Sequence, residues 1–194
     1  MMAEFSRVSG GHGARAGGKN DYYPTRPAVV RALLEVEDFP NRVWEPACGA
    51  GHLAEELRRH RYRVVASDLE PRGYGSTRPI DFLALTKAPA NVRSLVTNPP
   101  FRLAREFVLK ALELGIEKHA WLLRLQFAEG GRRYRELLGP HPPARVWVFS
   151  SRVQVNADHP GGDRGGEICF SWWVWESRRE LRAASTELRW LPPG

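Results

Sequence analysis

The run Thr97-Asn98-Pro99-Pro100-Phe101 holds the groups best suited to handling a planar amine. Two successive prolines lock φ and remove two N–H donors, which makes a stiff turn rich in carbonyls. The Asn98 amide oxygen and the Pro99 carbonyl can both accept from one amino group, and Phe101 offers a face on which a flat ring can stack. An aromatic amine is a poor nucleophile because its lone pair is delocalised into the ring. Two acceptors on its N–H bonds favour a pyramidal nitrogen with an available lone pair, so such a site works through positioning and electrostatics.

Three further segments carry matching chemistry. In Glu45-Pro46-Ala47-Cys48-Gly49-Ala50-Gly51 the glycines stand one residue apart and let the backbone approach a ligand closely. The segment lacks the Gly-Lys-Ser/Thr ending of a phosphate loop. Asp68, in Ser67-Asp68-Leu69, follows Gly51 by 17 residues and can accept from both hydroxyls of a ribose. Asp81-Phe82-Leu83 sets a carboxylate beside an aromatic ring, a pair able to take an exocyclic amine and its base, although Asp81 serves equally well as a helix cap.

These segments need elements that deliver them to one place. Thr25-Arg26-Pro27 reads as a helix start with Thr25 as its cap, followed by the apolar stripe Val29, Val30, Leu33 and Leu34. Arg42–Glu45, Arg63–Ser67, Ser94–Thr97 and Ala120–Leu125 read as strands, each ending at or just before a chemically interesting residue. Helical patterns begin near His52 and span Leu103–Leu114. This alternation predicts an α/β fold with a mainly parallel central sheet and helices on both faces. Arg145–Phe149 and Ile168–Trp175, separated by the Gly-rich stretch 156–166, predict an antiparallel C-terminal hairpin at the edge or end of the sheet, and Glu187–Trp190 a short final strand. Trp172, Trp173 and Trp175 lie on the hairpin as core residues.

Composition narrows the class. The 194 residues suit one domain, read as a flexible Gly-rich tail over 1–20 and a single domain over 21–194. Lys and Arg number 29 against 22 Asp and Glu, a formal charge of +7 that favours a polyanionic partner. Most of that charge is Arg, which suits bidentate phosphate contact. No apolar run approaches the ~20 residues of a membrane span, and no secretory leader is visible, so a cytoplasmic protein without a membrane partner is expected. Two cysteines form neither a disulfide framework nor a metal cluster, and His119, His141 and His159 lack metal-ligand spacing, so no metal is expected. Cys48 has no visible base partner and reads as a small packing residue. Arg132, Arg133 and Arg135 lie just beyond a strand end and are candidate substrate contacts, whereas the Arg58–Arg63 group reads as a solvated helix face.

Together these motifs resemble the class I S-adenosylmethionine-dependent methyltransferases, and within them the amino-methylating branch that includes the DNA N6-adenine methyltransferases. Asp21-Tyr22-Tyr23-Pro24-Thr25 is similar to that branch's N-terminal cofactor motif, placed before the Gly loop as in the gamma order. The resemblance spans residues 21 to about 175 and implies a Rossmann-like class I methyltransferase fold with S-adenosylmethionine as cofactor. It implies that Tyr22, Pro24 and Thr25 contact the methionine end and that Glu45, Pro46, Ala47, Gly49 and Gly51 line the cofactor. Asp68 would hold the ribose, with Leu69 on the adenine, Asp81 on its amino group and Phe82 on its ring. Asn98 and Pro99 would grip the target amine, Pro100 would stiffen the turn, and Phe101 would stack on the target base. The implied substrate is a nucleic-acid base, adenine N6 in DNA first, reached by flipping the nucleotide or in single strands. RNA, cytosine N4 and a protein glutamine amide fit the same motif, and a non-catalytic binding module is the reading from another class. A separate target-recognition domain is not apparent, so low sequence specificity or a specificity partner is expected.

Overall fold

The computed structural model describes residues 23–151, 153–154, 168–177 and 185–192. The 1–20 tail, Tyr22 and the 156–166 stretch lie outside the described residues. Seven strands form one sheet: β1 (Arg42–Glu45), β2 (Arg63–Ala66), β3 (Ser94–Thr97), β4 (Lys118–Arg124), β5 (Arg145–Phe149), β6 (Phe170–Glu176) and β7 (Glu187–Leu191). Their order is β2-β1-β3-β4-β6-β5-β7. β6 alone runs against its neighbours, pairing antiparallel with both β4 and β5. The remaining pairings are parallel.

The pairing of β5 with β6 is the predicted antiparallel hairpin, and it lies toward one end of the sheet as expected. β6 is inserted between β4 and β5, and β7 forms the edge. Exposure explains the order. All five central residues of β6 are buried, so it belongs inside the sheet with both faces covered. In β7, Leu188, Arg189 and Trp190 are exposed, which suits an edge strand.

Successive strand residues point to opposite faces, and the core divides accordingly. On one face Trp44, Leu95, Trp121, Leu123, Trp173 and Trp175 pack with Phe107, Val108 and Ala111 of α3 (Ala104–Glu113). On the other, Val43, Val96, Leu122, Trp172 and Val174 pack with α1 (Pro27–Leu34) and α2 (His52–Arg59). The three tryptophans are core residues, and each indole N–H has an acceptor: Val29 O at 2.9 Å for Trp172, Ser171 Oγ at 2.8 Å for Trp173 and His141 O at 2.8 Å for Trp175. His119 is buried against Trp175, and burial pulls its pKa down to about 3, so it stays neutral.

Thr25 does not cap α1. The cap position is Arg26, without a side-chain bond, and Pro27 opens the helix. Proline there needs no N–H partner, and the Thr25 hydroxyl is engaged elsewhere, by Asn98.

Candidate active site

The parallel strands β1, β2 and β3 all end on one side of the sheet, where open α/β sheets bind ligands. Just beyond those ends a cavity of about 590 Å³ opens, within the size range of small-molecule sites. Glu45, Pro46, Ala47 and Cys48 come from the end of β1, Asp68 and Leu69 from the end of β2, Asn98 and Pro100 from the end of β3. Tyr23, Pro24 and Thr25 close it from the N-terminal side, and Asp81, Phe82 and Leu83 from the following turn. Segments far apart in sequence thus meet in one cavity.

Asn98 is held firmly in that wall. Its Nδ2 donates to the Tyr23 carbonyl at 3.0 Å and to Thr25 Oγ1 at 3.1 Å. Both amide hydrogens are therefore used, and the amide is fixed in one orientation. Its Oδ1 is buried and has no partner. Two more atoms of the same wall share that condition, Glu45 Oε2 and His52 Nδ1. Buried polar atoms are normally satisfied, so these three leave unused hydrogen-bonding capacity in one wall. Glu45 is 2% exposed, and burial holds its pKa well above the ordinary 4.5, opposed by a hydrogen bond from the Ala54 N–H and reinforced by the charge of Asp68.

The turn after β1 is shaped by its glycines. Gly51 caps α2 with φ 88°, and a Cβ there would lie 2.4 Å from the Tyr74 ring. Tyr74 is in turn held by its hydroxyl, which donates to Glu55 Oε1 at 2.6 Å and accepts from Arg58 Nη1 at 2.5 Å. Gly49 has φ 52° and donates its N–H to Asp68 Oδ2 at 2.7 Å, while the Glu70 N–H reaches Asp68 Oδ1 at 2.8 Å. Asp68 thereby ties the Gly loop to the end of β2. Each carboxylate oxygen keeps a second lone pair for a ligand hydroxyl. Burial pushes the Cys48 thiol up to about 12, with Glu45 adding to the effect, which keeps it protonated near neutral pH.

Other residues sit differently from the expectation. Gly49, Gly51, Pro99 and Phe101 are not in the cavity wall. Phe101 packs against Tyr23 at 5.7 Å and against Phe170 at 5.7 Å, with the Arg124 guanidinium 4.9 Å from its centroid. Tyr23, one residue beyond the predicted Tyr22, is the aromatic side chain that the wall contains at this point. Phe82 is 2% exposed and packs against Trp44 and Phe107, so Leu83 and the exposed Leu69 supply more apolar contact. Asp81 does cap a turn, its Oδ1 accepting from the Leu83 N–H at 2.9 Å. Arg133 is structural in part, donating to the Phe127 carbonyl at 2.8 Å, and Arg132 pairs with Glu136 at 2.8 Å. Arg135 is exposed. Among the described residues no cluster of His, Cys, Asp and Glu is arranged to hold a metal, and no helix is long and apolar enough to cross a membrane.

Solved structures share this architecture. The chain superposes on a type I restriction-enzyme modification subunit from Vibrio vulnificus YJ016 with TM-score 0.54 and 16% identity, covering 83% of this chain and 45% of that one. It superposes on a dimethyladenosine transferase from Plasmodium falciparum with TM-score 0.53 and 13% identity, covering 80% and 63%. For protein 1320 of Thermoplasma acidophilum the TM-score is 0.51 at 15% identity, covering 77% and 86%. The chain thus spans less than half the length of the first and less than two thirds of the second. No protein-family model matches the chain, and no curated protein matches it. The fold is that of the Rossmann-like methyltransferases.

Proposed function

We propose that this chain transfers the methyl group of S-adenosylmethionine to an exocyclic amino group of a nucleic-acid base, adenine N6 in DNA first. The observation that carries the reading is Asn98: a buried amide oxygen without a partner, fixed in direction by Tyr23 and Thr25, at the end of a central strand. Two of the structures that share the fold are named for a restriction-enzyme modification subunit and a dimethyladenosine transferase, and the +7 charge favours the same polymer class.

The cavity residues fit the cofactor. Its volume, its apolar Leu69 and Leu83, and the orphan atoms of Glu45 and His52 suit a ligand with a flat base and a polar amino-acid end. Asp68 keeps acceptor capacity for ribose hydroxyls. Bound S-adenosylmethionine supplies an electrophilic sulfonium methyl. Asn98 accepts an N–H of the target amine through its unpartnered Oδ1 and holds the nitrogen with its lone pair free of the ring. Because the Asn98 amide is already immobilised, little reorganisation is needed at the moment of transfer. No covalent enzyme intermediate is required.

The test is transfer from labelled S-adenosylmethionine to duplex DNA, single-stranded DNA, RNA and protein, with the products resolved by mass. N6-methyladenine in DNA is the expected product. Label in RNA, on cytosine or on glutamine would move the substrate, and cofactor binding without transfer would replace the enzyme with a binding module. Asn98→Ala should retain cofactor affinity and lose transfer by about 10²-fold or more, the scale of one preorganised polar group. Unchanged turnover would remove Asn98 from the mechanism.

A further inference from the structure

A second hollow, of about 240 Å³, adjoins the cavity, and Arg102 belongs to both walls. Phe101 and Phe127 give the hollow an apolar surface, and Arg105, Arg132 and Arg133 join Arg102 around it. It lies at the start of α3 and beside the turn Gly131–Arg133, which continues into a π-helical turn over Tyr134–Leu138.

The guanidinium groups of Arg105, Arg132 and Arg133 stand here with two carboxylates, Glu106 and Glu136. Glu136 bridges two of the cations: its Oε1 accepts from Arg132 Nε at 2.8 Å and its Oε2 accepts from Arg105 Nη1. Arg105 also donates to Glu106. Arg133 is anchored on the carbonyls of Phe127 and Glu129, yet its Nε is buried without a partner. Burial and the nearby Arg105 charge lower the Arg133 pKa, so the cations here are crowded. An excess of positive charge, an unpartnered donor on Arg133 and one carboxylate shared between two arginines describe a site suited to an anion with two free oxygens.

We infer that this hollow is an oxyanion site for a phosphodiester of the substrate strand, and that the Glu136 carboxylate holds the Arg105 and Arg132 donors until that phosphate displaces it. A phosphodiester presents two non-bridging oxygens, the number Glu136 offers now. Arg102, shared by both walls, lets one strand run from the hollow into the cavity that contains Asn98. The inference rests on the nucleic-acid reading of the substrate and adds the place where its backbone is held.

The test is binding of a fluorescent single-stranded oligonucleotide across a salt series, with cofactor affinity measured in parallel. Neither Arg132 nor Glu136 is in the cavity wall, so unchanged cofactor affinity reports an intact fold. Arg132→Gln should reduce the slope of log affinity against log salt by about one, the signature of a lost phosphate contact. Glu136→Gln removes the competing carboxylate and should tighten binding by about two- to five-fold, the range spanned by exposed ion pairs. An unchanged slope for Arg132→Gln, or weaker binding by Glu136→Gln, would overturn the site. Displacement of the oligonucleotide by inorganic phosphate at comparable affinity would instead mark a free-anion site. If the wild-type chain binds cofactor but no oligonucleotide, the nucleic-acid reading fails with it. If it methylates DNA while both variants behave like wild type, only the phosphodiester site fails.

Discussion

At the scale of single residues, the site depends on a contact that sequence reasoning assigned to another purpose. Thr25 precedes Arg-Pro at a helix start and has the side chain of a good cap, yet its hydroxyl serves Asn98, 73 positions away in sequence. Local patterns cannot show that a distant strand end will claim a hydroxyl. Removing it should loosen the amide without removing it: Thr25→Val should lower kcat by about five-fold, as loss of one neutral hydrogen bond of ~1 kcal/mol implies. Thr25→Ser should restore most of it, and equal rates for Val and Ser would show that Thr25 does not anchor Asn98. Glu45 carries a pH signature. Its folded-state pKa is raised by burial, so its contribution to stability is fully present below the ordinary 4.5 and is lost as pH rises through the folded value. Glu45→Gln is neutral at every pH and should gain thermal stability over wild type on going from acidic to neutral pH. A constant difference between the two proteins across that range would contradict the shift.

Elements were read more securely than contacts. β3 occupies the predicted Ser94–Thr97, and α2 begins at His52 as expected. Both have strong local signals: a short apolar run between polar residues, and an amphipathic repeat after a Gly turn. The insertion of β6 was not legible, because strand order is decided by which faces remain to be covered after the whole chain has packed. The role of Tyr74 was equally hidden. It sits in a stretch without regular secondary structure, and only the folded chain brings its ring over Gly51. Gly51→Ala should therefore cost more than an ordinary glycine replacement, about 1–2 kcal/mol for the left-handed backbone plus the displacement of Tyr74 from Glu55 and Arg58. Chemical denaturation of Gly51→Ala, Tyr74→Ala and the double variant would measure this. The double variant should be less destabilised than the two singles added together, and strict additivity would mean that ring and turn are independent.

Across the whole molecule, the two ends of the strands have different tasks. The cavity lies beyond the carboxyl ends of β1, β2 and β3, while at the opposite end the starts of β4 and β5 and the end of β6 are fastened by charges. Glu37 is buried there and takes hydrogen bonds from Arg145 and from Trp147 Nε1 at 2.8 Å, with Lys118 at 2.6 Å. Glu176 meets the same two cations, at 3.0 Å to Lys118 and 2.8 Å to Arg145. These four charged residues are scattered through the sequence, and none of them stood out as a site. Burial alone would raise the pKa of Glu176, but bonds from Arg145 and Lys118 hold it at about 2, and the same cations lower that of Glu37. For carboxylates with depressed values, the stability they contribute is present above the ordinary 4.5 and is lost as pH falls toward 2. Glu37→Ala leaves Trp147 without its acceptor and two cations short of a partner, so it should cost about 3–5 kcal/mol, the scale for breaking a buried pair. It should also flatten the loss of stability through that acid range. Because the clamp and the cavity lie at opposite ends of the strands, this cost should not reach the ligand. At 100 times the dissociation constant, S-adenosylmethionine should stabilise wild type and variant alike by about 2.7 kcal/mol. Paired denaturation curves with and without cofactor would measure both terms at once. Equal ligand increments on unequal baselines would show that the fold and the site are secured separately, whereas a smaller increment in the variant would mean that the distant clamp helps to shape the cavity.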